Sequence, residues 1–325
     1  MKTFLGLLAS ATAVLATSRT SPPSGCLHVA KSGGDYTTVL AAVNSLSTSS
    51  TSDQCIFIDQ GTFTEQVYIP ARSAMLTIYG YTTDDSDYTN NKAIITYNNN
   101  AASAGSNDAS ATLRVWSDNF KMYNVNVINS YGQGSQALAL SAQSSGGYYG
   151  CSFYGFQDTV LANEDQQYYK NCEITGATDF IFGQRAQAWF EACDIRVRNG
   201  GYYITANGRD SDSNPSYYLF NNCDVAAASG ESVSSRTYYL GRPWRTYARV
   251  VFQNTAMSSV VRTEGWTVWD DDTDTSTVYY AEYNNSGDGA TGPRVSWAKT
   301  LSSAVSISTV LGSSYSSQGW YDSSY

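Results

Sequence analysis

The stretch YYGCSF at Tyr148–Phe153 returns as YKNCEI at Tyr169–Ile174 and as FEACDI at Phe190–Ile195, at a constant 21-residue interval. A fourth copy, FNNCDV at Phe220–Val225, follows after a longer interval. The alternation of apolar side chains within each copy is typical of strands rather than helices. A unit of this length cannot bury its apolar face alone and must stack on its neighbours. The pattern therefore predicts a parallel β-helix, an all-β solenoid whose neighbouring strands lie about 4.8 Å apart.

Two weaker copies flank the repeat, at Met122–Val127 and Phe252–Met257. The coils that lead to and from these copies, and the coil after Phe190, are longer than the others. Their additional residues are predicted to form loops, because the strands themselves keep the same pattern. The insertions after Arg209, Ala228 and Trp269 are long, and we expect them to gather along one side of the solenoid and wall a groove.

The 21-residue register also relates two polar pairs, Gln136 with Gln157 and Asp158 with Asp179. In a coil of this length the members of each pair lie side by side on adjacent strands. Gln157 and Asp158 are neighbours in sequence, so the two pairs are expected to touch. Two carboxylates beside two amides on a rigid sheet are a candidate catalytic centre. The alternative is an outward polar ladder that only solvates the sheet.

Residues 1–17 have the pattern of a secretory signal peptide, in which Lys2 precedes an apolar run from Phe4 to Leu15 and small residues. This run is too short and too rich in Ser and Thr to span a bilayer. We therefore expect a secreted, extracellular protein. Solenoids grow by adding coils, so residues 18–325 are expected to form a single β-helix catalytic domain.

Segments outside the main repeat carry weaker signals. Apolar spacing after Thr37 or Thr38 predicts a helix that covers the open N-terminal end of the solenoid. The stretch Asn98–Asp108 has the composition of a polar loop. Near the other end, Val305–Leu311 is expected to pack against the side of the helix.

Charge and histidine content exclude several classes of function. The formal net charge is −9 and the pI is about 4.6, which argues against nucleic acid and anionic membrane surfaces as partners. The single histidine, His28, lies in a short strand pattern and is interpreted as structural, so a Ser-His-Asp or Cys-His mechanism is not expected. We expect a monomer that works at acidic pH, where its own carboxylates are partly protonated.

Four of the six cysteines occupy one equivalent position of the repeat. They are Cys151, Cys172, Cys193 and Cys223. Side chains stacked at strand spacing are close enough for disulfides, but they pack equally well as a ladder of buried thiols. Cys26 and Cys55 stand apart and could pair with each other. No CxxC motif or Cys/His cluster is present, so a metal site is not expected.

Five short motifs, taken together and in order, resemble the pectin methylesterases, a family of right-handed parallel β-helix enzymes. The resemblance extends over about residues 28–300, and DFIFG with LGRPW is its most specific part. The segment from Gly265 to Trp269 is also similar to the family. Mild departures occur at Phe63, Leu138 and Val160, where the family usually has Tyr, Val and Leu. The motifs are GTFTE at 61–65, QALAL at 136–140, QDTV at 157–160, DFIFG at 179–183 and LGRPW at 240–244.

The resemblance implies an esterase that removes methyl groups from methyl-esterified homogalacturonan (pectin) and releases methanol and pectate. Asp179 would be its nucleophile, and Asp158 the general acid and then base. Arg242 would hold Asp179 ionised and would also bind the substrate. Elementary electrostatics supports this division, because two close carboxylates cannot both ionise easily and an adjacent arginine selects the one that stays charged.

The resemblance also implies roles for three further side chains. Gln136 and Gln157 would donate hydrogen bonds to the oxyanion, and Trp244 would stack on a sugar ring near the scissile ester. An alternative for the glutamines is a structural amide ladder, since such ladders stabilise stacked strands. Neither a cofactor nor a metal is required by this chemistry.

Other functions are compatible with a β-helix. A polygalacturonase would use paired carboxylates, but the Asn-Thr-Asp and Gly-His-Gly motifs of that family are absent. A pectate lyase would need a calcium-binding Asp cluster, which is not evident. A non-catalytic carbohydrate-binding β-helix would keep the repeats without needing Asp158, Asp179 and Arg242 together. The motifs favour the esterase, and the Ser/Thr-rich leader favours a fungal source.

Overall fold

A computed structural model describes residues 17–325 of the protein, and the signal peptide predicted for residues 1–17 lies outside them except for Thr17. The prediction of a parallel β-helix is confirmed. Three sheets run along the molecule, and all pairings between their strands are parallel. Between Gln54 and Gly241 successive strands belong to the three sheets in turn, so each coil of this part contributes one strand to each sheet.

The strands of the three sheets are numbered in chain order. Sheet 1 contains β1 (Leu27–Val29), β2 (Gln54–Ile58), β5 (Leu76–Gly80), β8 (Phe120–Tyr123), β11 (Gly146–Tyr149), β14 (Gln166–Lys170), β17 (Gln187–Glu191), β20 (Tyr217–Asn221), β23 (Arg249–Gln253), β25 (Tyr279–Tyr283) and β26 (Lys299–Thr300). Sheet 2 contains β3 (Gly61–Thr64), β6 (Ala93–Tyr97), β9 (Val125–Asn129), β12 (Ser152–Tyr154), β15 (Glu173–Gly176), β18 (Asp194–Val197), β21 (Asp224–Ala227) and β24 (Ala256–Met257). Sheet 3 contains β4 (Val67–Ile69), β7 (Leu113–Val115), β10 (Leu140–Ala142), β13 (Val160–Ala162), β16 (Thr178–Gly183), β19 (Tyr203–Asn207) and β22 (Tyr239–Gly241).

The strand register reproduces the spacing of the sequence repeat. Tyr148 pairs with Tyr169 and Tyr169 with Phe190. Phe190 then pairs with Phe220, and Phe220 with Phe252. Coils of unequal length therefore keep equivalent positions in line, as predicted.

These five paired residues form a column of aromatic rings inside the solenoid. Their neighbouring ring centroids are 4.7, 4.7, 4.4 and 4.3 Å apart, with interplanar angles of 13° or less. All five side chains are fully buried. Parallel pairing of identical positions thus converts a sequence repeat into a continuous core, which no single coil could form alone.

A tight corner connects sheet 1 to sheet 2 in each coil of the repeat. One residue at this corner adopts the left-handed backbone conformation, with φ between 49° and 55°. Asn and Gly tolerate this conformation best, which explains why Gly150, Asn171 and Asn222 precede three of the repeated cysteines. The corner residues are Asn124, Gly150, Asn171, Ala192, Asn222, Asn254 and Asn284.

The cysteines divide into two groups. Cys151, Cys172, Cys193 and Cys223 directly follow corner residues and are free, buried thiols. Of the two alternatives left open by the sequence, the structure therefore has the thiol ladder. Cys26 and Cys55 form a disulfide, which joins the segment before β1 to β2.

The N-terminal end of the solenoid is covered by helix α1 (Val39–Ser45), with Thr38 as its N-cap, as predicted. The Glu65 carboxylate accepts hydrogen bonds from the backbone NH groups of Val39 and Leu40, each at 2.8 Å, so this residue of the GTFTE motif stabilises the start of the helix. His28 lies 3.2 Å from the Asp59 carboxylate at the same end, in keeping with a structural role.

Short helices occupy two of the remaining segments. The predicted polar loop at Asn98–Asp108 instead contains α2 (Ala101–Ala104) and α3 (Asn107–Ser110), because the Asn100 and Ser106 side chains cap their first turns. Helix α4 (Ile307–Leu311) packs on sheet 1 as expected. Two 3₁₀ turns cover Asp288–Ala290 and Tyr315–Ser317. None of the helices in residues 17–325 is long and apolar enough to cross a membrane.

Candidate active site

The six side chains predicted to form a site meet on the outer surface of sheet 3. They line one cavity of about 190 Å³. The segment before β13 and strand β16 contribute the carboxylates, and the segment after β22 contributes the cation and an indole. The predicted residues are Gln136, Gln157, Asp158, Asp179, Arg242 and Trp244.

The two aspartates lie in line in adjacent coils, Asp158 just before β13 and Asp179 within β16, as the 21-residue register requires. Gln157 forms a bridge with Thr178, and Val160 pairs with Ile181. Asp158 and Asp179 have left-handed backbone conformations, with φ of 63° and 49°. Asp tolerates this region better than most residues, and such conformations cluster at functional sites.

The strand that carries Asp179 is also irregular. Between Thr178 and Ile181 the pairing of β16 with β19 shifts by one residue, which is a β-bulge. Bulges redirect a side chain relative to regular strand alternation. Here Phe180 is fully buried, while the Asp179 carboxylate lines the cavity.

Arg242 holds one of the two carboxylates in a bidentate contact. Its Nε donates to Asp179 Oδ1 at 3.0 Å, and its Nη2 donates to Asp179 Oδ2 at 2.6 Å. The guanidinium itself lies 4.0 Å from the ring centroids of both Tyr203 and Trp269. Two parallel charge-assisted hydrogen bonds and two aromatic faces fix this side chain in position.

The two carboxyl groups have different electrostatic environments, which affect their pKa values differently. Burial and the charge of Asp179 raise the pKa of Asp158 well above its ordinary value, against a smaller opposite effect of Arg242. Burial also raises the pKa of Asp179, but its hydrogen bonds and charge interaction with Arg242 oppose that effect. The pair thus has one carboxyl group that readily keeps its proton and one that ionises first.

One polar contact to this pair comes from the segment that was predicted to be a polar loop. The Asn107 side-chain amide, at the start of α3, donates to Asp158 Oδ2 at 3.4 Å. Within residues 17–325, neither Gln136 nor Gln157 uses its side-chain NH2 group to donate to another protein group, so both amides are open to the cavity.

An apolar strip adjoins the carboxylates on the otherwise polar outer face of sheet 3. It consists of one side chain per coil, and the indoles of Trp244 and Trp269 pack against it. The strip offers a surface for the faces of sugar rings and for a methyl group. Its members are Ala111, Leu138, Leu161, Phe182 and Ala206.

Long insertions extend the cavity on one side, which agrees with the expected groove. The segments after Arg209 and Trp269 line a neighbouring cavity of about 500 Å³, which shares Trp244 and Trp269 with the site. The insertion after Ala228 was expected to join them, but its Glu231 instead pairs with Arg198 at 2.9 Å. Among residues 17–325 no group of three or more His, Cys, Asp or Glu side chains is arranged to hold a metal ion.

Sequence reasoning missed four residues that line the cavity or support it. Asn107, Phe182 and Ala206 line the cavity, and Tyr203 lies against Arg242. Phe182 and Ala206 could have been found from the register, because they continue the column of Leu161 along sheet 3. The position of Trp269 beside Arg242 was not predicted either, although its segment is part of the family resemblance.

Comparison with known proteins gives consistent results. A family model described as Pectinesterase matches residues 27–320. A pectinesterase from Aspergillus niger is 49% identical over 330 residues, which cover 100% of this chain and 99% of the relative. One from Aspergillus aculeatus is 49% identical over 331 residues, with the same coverage.

Solved structures agree with the sequence relatives. The crystal structure of the pectin methylesterase from Aspergillus niger in deglycosylated form matches with a TM-score of 0.89 and 46% identity, covering 95% of this chain and 100% of that one. Pectin methylesterase from carrot matches with a TM-score of 0.84 and 29% identity, covering 93% and 98%.

Fold and relatives together define a carboxylic ester hydrolase built on a parallel β-helix. More particularly, the chain belongs to the pectinesterase family. The predictions of an enzyme, of ester hydrolysis and of pectin as its substrate are confirmed, and the relatives of high identity are fungal as expected. The polygalacturonase, lyase and non-catalytic alternatives are not the family that matches.

Proposed function

We propose that this pectinesterase acts through Asp179 as nucleophile and Asp158 as general acid and base. The observation that carries the proposal is that two buried carboxylates share one cavity, but Arg242 donates hydrogen bonds only to that of Asp179. This bidentate contact favours the ionised form of Asp179. Asp158 has no such partner and a strongly raised pKa, so it is suited to donate a proton.

In the first half of the reaction, the Asp179 carboxylate attacks the carbonyl carbon of the methyl ester. The carbonyl oxygen becomes negative, and the side-chain amides of Gln136 and Gln157 donate hydrogen bonds to it. The bond to the methoxy oxygen then breaks, and that oxygen takes the proton of Asp158 and leaves as methanol. The product is an acyl anhydride between galacturonate and Asp179.

In the second half, Asp158 is ionised and takes a proton from water. The resulting hydroxide attacks the carbonyl carbon of the anhydride, and the same two amides stabilise the second oxyanion. The bond to Asp179 breaks, which restores its carboxylate beside Arg242. Asp158 is protonated again, and the substrate leaves with a free carboxyl group.

Substrate recognition is assigned to the indoles and the apolar strip. Trp244 and Trp269 flank the carboxylates and pack on the strip along sheet 3. Sugar rings have apolar faces that stack well on indoles. A neutral methyl ester enters such a site more easily than a carboxylate, which Asp158 and Asp179 would repel.

We further propose that the enzyme is secreted, monomeric and independent of membranes and nucleic acid. The signal-peptide pattern of residues 1–17 and the Cys26–Cys55 disulfide support an oxidising, extracellular environment. The net charge of −9 opposes binding to polyanions other than at a local basic site.

The decisive experiment is to follow methylated pectin at constant pH in the presence of a chelator. We expect methanol release and consumption of base, without a rapid fall in viscosity. New reducing ends or unsaturated products would contradict the proposal. Because turnover needs Asp179 ionised and Asp158 protonated, we expect maximal activity below neutral pH, and a maximum well above pH 7 would contradict that expectation.

A further inference from the structure

A second cavity, of about 530 Å³, lies at the corner where the chain passes from sheet 3 to sheet 1. We call it the basic pocket. Its size is that of a small-molecule site, within the usual range of about 300–1,000 Å³. None of its lining residues belongs to the catalytic cavity. The side chains that matter are three cations, Arg209, Arg249 and Lys299, and three tyrosines, Tyr217, Tyr247 and Tyr279.

Strand ends bring these groups together. Tyr217, Arg249, Tyr279 and Lys299 are the first residues of β20, β23, β25 and β26, which are consecutive strands of sheet 1. Arg209 belongs to the insertion that precedes β20. Parallel strands start at the same edge of a sheet, so residues that are far apart in sequence converge here.

Positive charge is in excess in this pocket, although the chain as a whole carries a net charge of −9. The one carboxylate that lines it, Asp212, contacts Arg209 Nη2 at 3.3 Å, but the Asp212 side chain is 96% exposed. An exposed pair of this kind contributes little, because water and salt screen it. Arg249 and Lys299 have no carboxylate partner within residues 17–325.

Arg249 is the least satisfied of the three cations. Its Nε is buried and has no hydrogen-bond partner in the described part of the chain. Its Nη2 has only a long contact, 3.4 Å, to the Asn214 backbone oxygen. Burial and the nearby charge of Arg209 lower the pKa of Arg249. A half-buried guanidinium with one buried N–H that has no partner is costly, and an anion nearby would relieve that cost.

Aromatic rings accompany each cation. Arg209 lies 5.7 Å from the ring centroid of Tyr247, and Arg249 lies 4.9 Å from that of Tyr217. The Lys299 ammonium is 4.4 Å from the Tyr279 ring. A simple inorganic anion would use the cations but not the rings. A sugar acid uses both, because it combines a carboxylate with apolar ring faces.

We propose that the basic pocket binds de-esterified galacturonate, the product of the reaction, at a site separate from the catalytic cavity. This proposal rests on the function assigned above. Galacturonate carboxylates would pair with Arg249 and Lys299, while the sugar rings stack on the half-buried Tyr247 and Tyr279. Two sites on one polymer raise the effective concentration of the enzyme at the chain it has already modified.

The catalytic cavity and the basic pocket share a structural support. The backbone oxygen of Asn207 accepts a hydrogen bond from Trp244 N at 3.1 Å, and its Oδ1 accepts one from Arg249 N at 2.9 Å. The segment between Trp244 and Arg249 therefore runs directly from one site to the other. A single pectin chain could contact both only by passing over this segment.

The test is calorimetric titration of the complete protein with trigalacturonate, which carries no methyl ester, at low ionic strength. We expect Lys299→Gln to weaken binding about 10-fold, which is typical of losing one charge-assisted contact. Lys92→Gln removes another exposed lysine, next to β6 and outside the basic pocket, and should leave binding unchanged. Arg249→Gln should weaken binding further, provided that its circular dichroism spectrum and melting temperature match the wild type.

Two further measurements identify the binding site and the class of ligand. Trp244→Ala alters the catalytic cavity, so it should weaken any binding there but leave the Lys299-dependent binding of trigalacturonate intact. If it abolishes binding while Lys299→Gln does not, the product binds in the catalytic cavity and the proposal fails. Failure also follows if the wild type does not bind trigalacturonate, or if inorganic phosphate binds as tightly. Methanol release is measured separately, so loss of the mechanism and loss of this site are distinguishable.

Discussion

The interior of sheet 1 and the outer surface of sheet 3 are built from the same coils with the same 21-residue offset. Inside, the offset stacks Tyr148, Tyr169 and Phe190, whose rings attract one another and are fully buried. Outside, it stacks Asp158 on Asp179, which repel one another when both are charged. One geometric rule therefore stabilises the fold in one place and creates reactive groups in the other.

The aromatic column and the active site differ in regularity, and this difference separates the residues that stabilise the fold from those that we expect to react. The aromatic column is regular, and its residues lie within continuous strands. The active site is irregular, since both aspartates have left-handed backbone conformations and β16 has a bulge. Arg242, which follows the strand two places from β16 in sheet 3, compensates one of the two charges. Substitutions in the two regions should consequently affect different measurable quantities.

The largest effect is expected for Asp179→Ala. The variant lacks the proposed nucleophile, so kcat/KM on methylated pectin should fall about 10⁴-fold or more. Asp165→Ala is a matched control, because Asp165 is also left-handed (φ 58°) but exposed and outside the cavity. Activity of Asp179→Ala within tenfold of the wild type would remove the nucleophile assignment.

Next in size is Phe190→Ala, which interrupts the aromatic column. The free energy of unfolding should fall by about 3–5 kcal/mol, because a buried ring is replaced by a cavity. Phe190→Leu is the control, since it keeps most of the volume and should cost less. Guanidinium unfolding measures both. A loss below that of Phe190→Leu would mean that the coils do not depend on this column.

Gln157→Ala tests the site without changing a charge. Loss of one oxyanion donor should lower kcat by about 10²–10³-fold and leave KM nearly unchanged. Gln143→Ala is the control, because Gln143 directly follows β10 in sheet 3 but does not line the cavity. An effect confined to KM would instead point to binding of the ground-state substrate.

The smallest effect that we predict is the change in melting temperature of the Asp158→Asn variant. In the wild type the folded pKa of Asp158 is raised, so the folded protein loses stability as pH rises from the unfolded value of about 4 through the folded pKa. Asn removes this penalty. Near neutral pH we expect a melting temperature about 3 °C higher than the wild type, the size produced by about 1 kcal/mol.

The pH dependence of that difference is its own control. At pH values well below 4, Asp158 is protonated in both folded and unfolded states, so the two proteins should melt at similar temperatures. A stabilisation that is constant across pH, or a variant that is less stable at neutral pH, would contradict a raised pKa at this position. Methanol release by Asp158→Asn should be severely reduced at every pH.

Much of this organisation could be predicted from the sequence, for a physical reason. Parallel stacking converts a fixed interval along the chain into a fixed neighbour in space, so Gln136, Gln157, Asp158 and Asp179 could be brought together by counting residues. Arg242 has no such interval. Its place followed only from the resemblance of LGRPW to a known family, because long insertions separate it from the aspartates.

Features outside the register could not be predicted. Asn107 reaches Asp158 from a short capped helix inside an insertion, whose path no periodicity describes. The bulge at Asp179 leaves no signature in DFIFG. Arg249 and Lys299 meet only because sheet 1 aligns the starts of its strands, and their intervening loops have unequal lengths. The choice of free thiols over disulfides was likewise undetermined by spacing.

The left-handed corner between sheets 1 and 2 has a consequence for how such a chain can diversify. Coils differ in length, since Tyr169, Phe190, Phe220 and Phe252 pair in series although they are unevenly spaced along the chain. The path from each of these aromatic residues through the corner to the next strand is nevertheless constant. Each coil is therefore in register with the preceding coil when it reaches the corner, whatever the length of the loop before it. Loops beside the active site can lengthen, shrink or be exchanged during evolution without shifting the coils that follow.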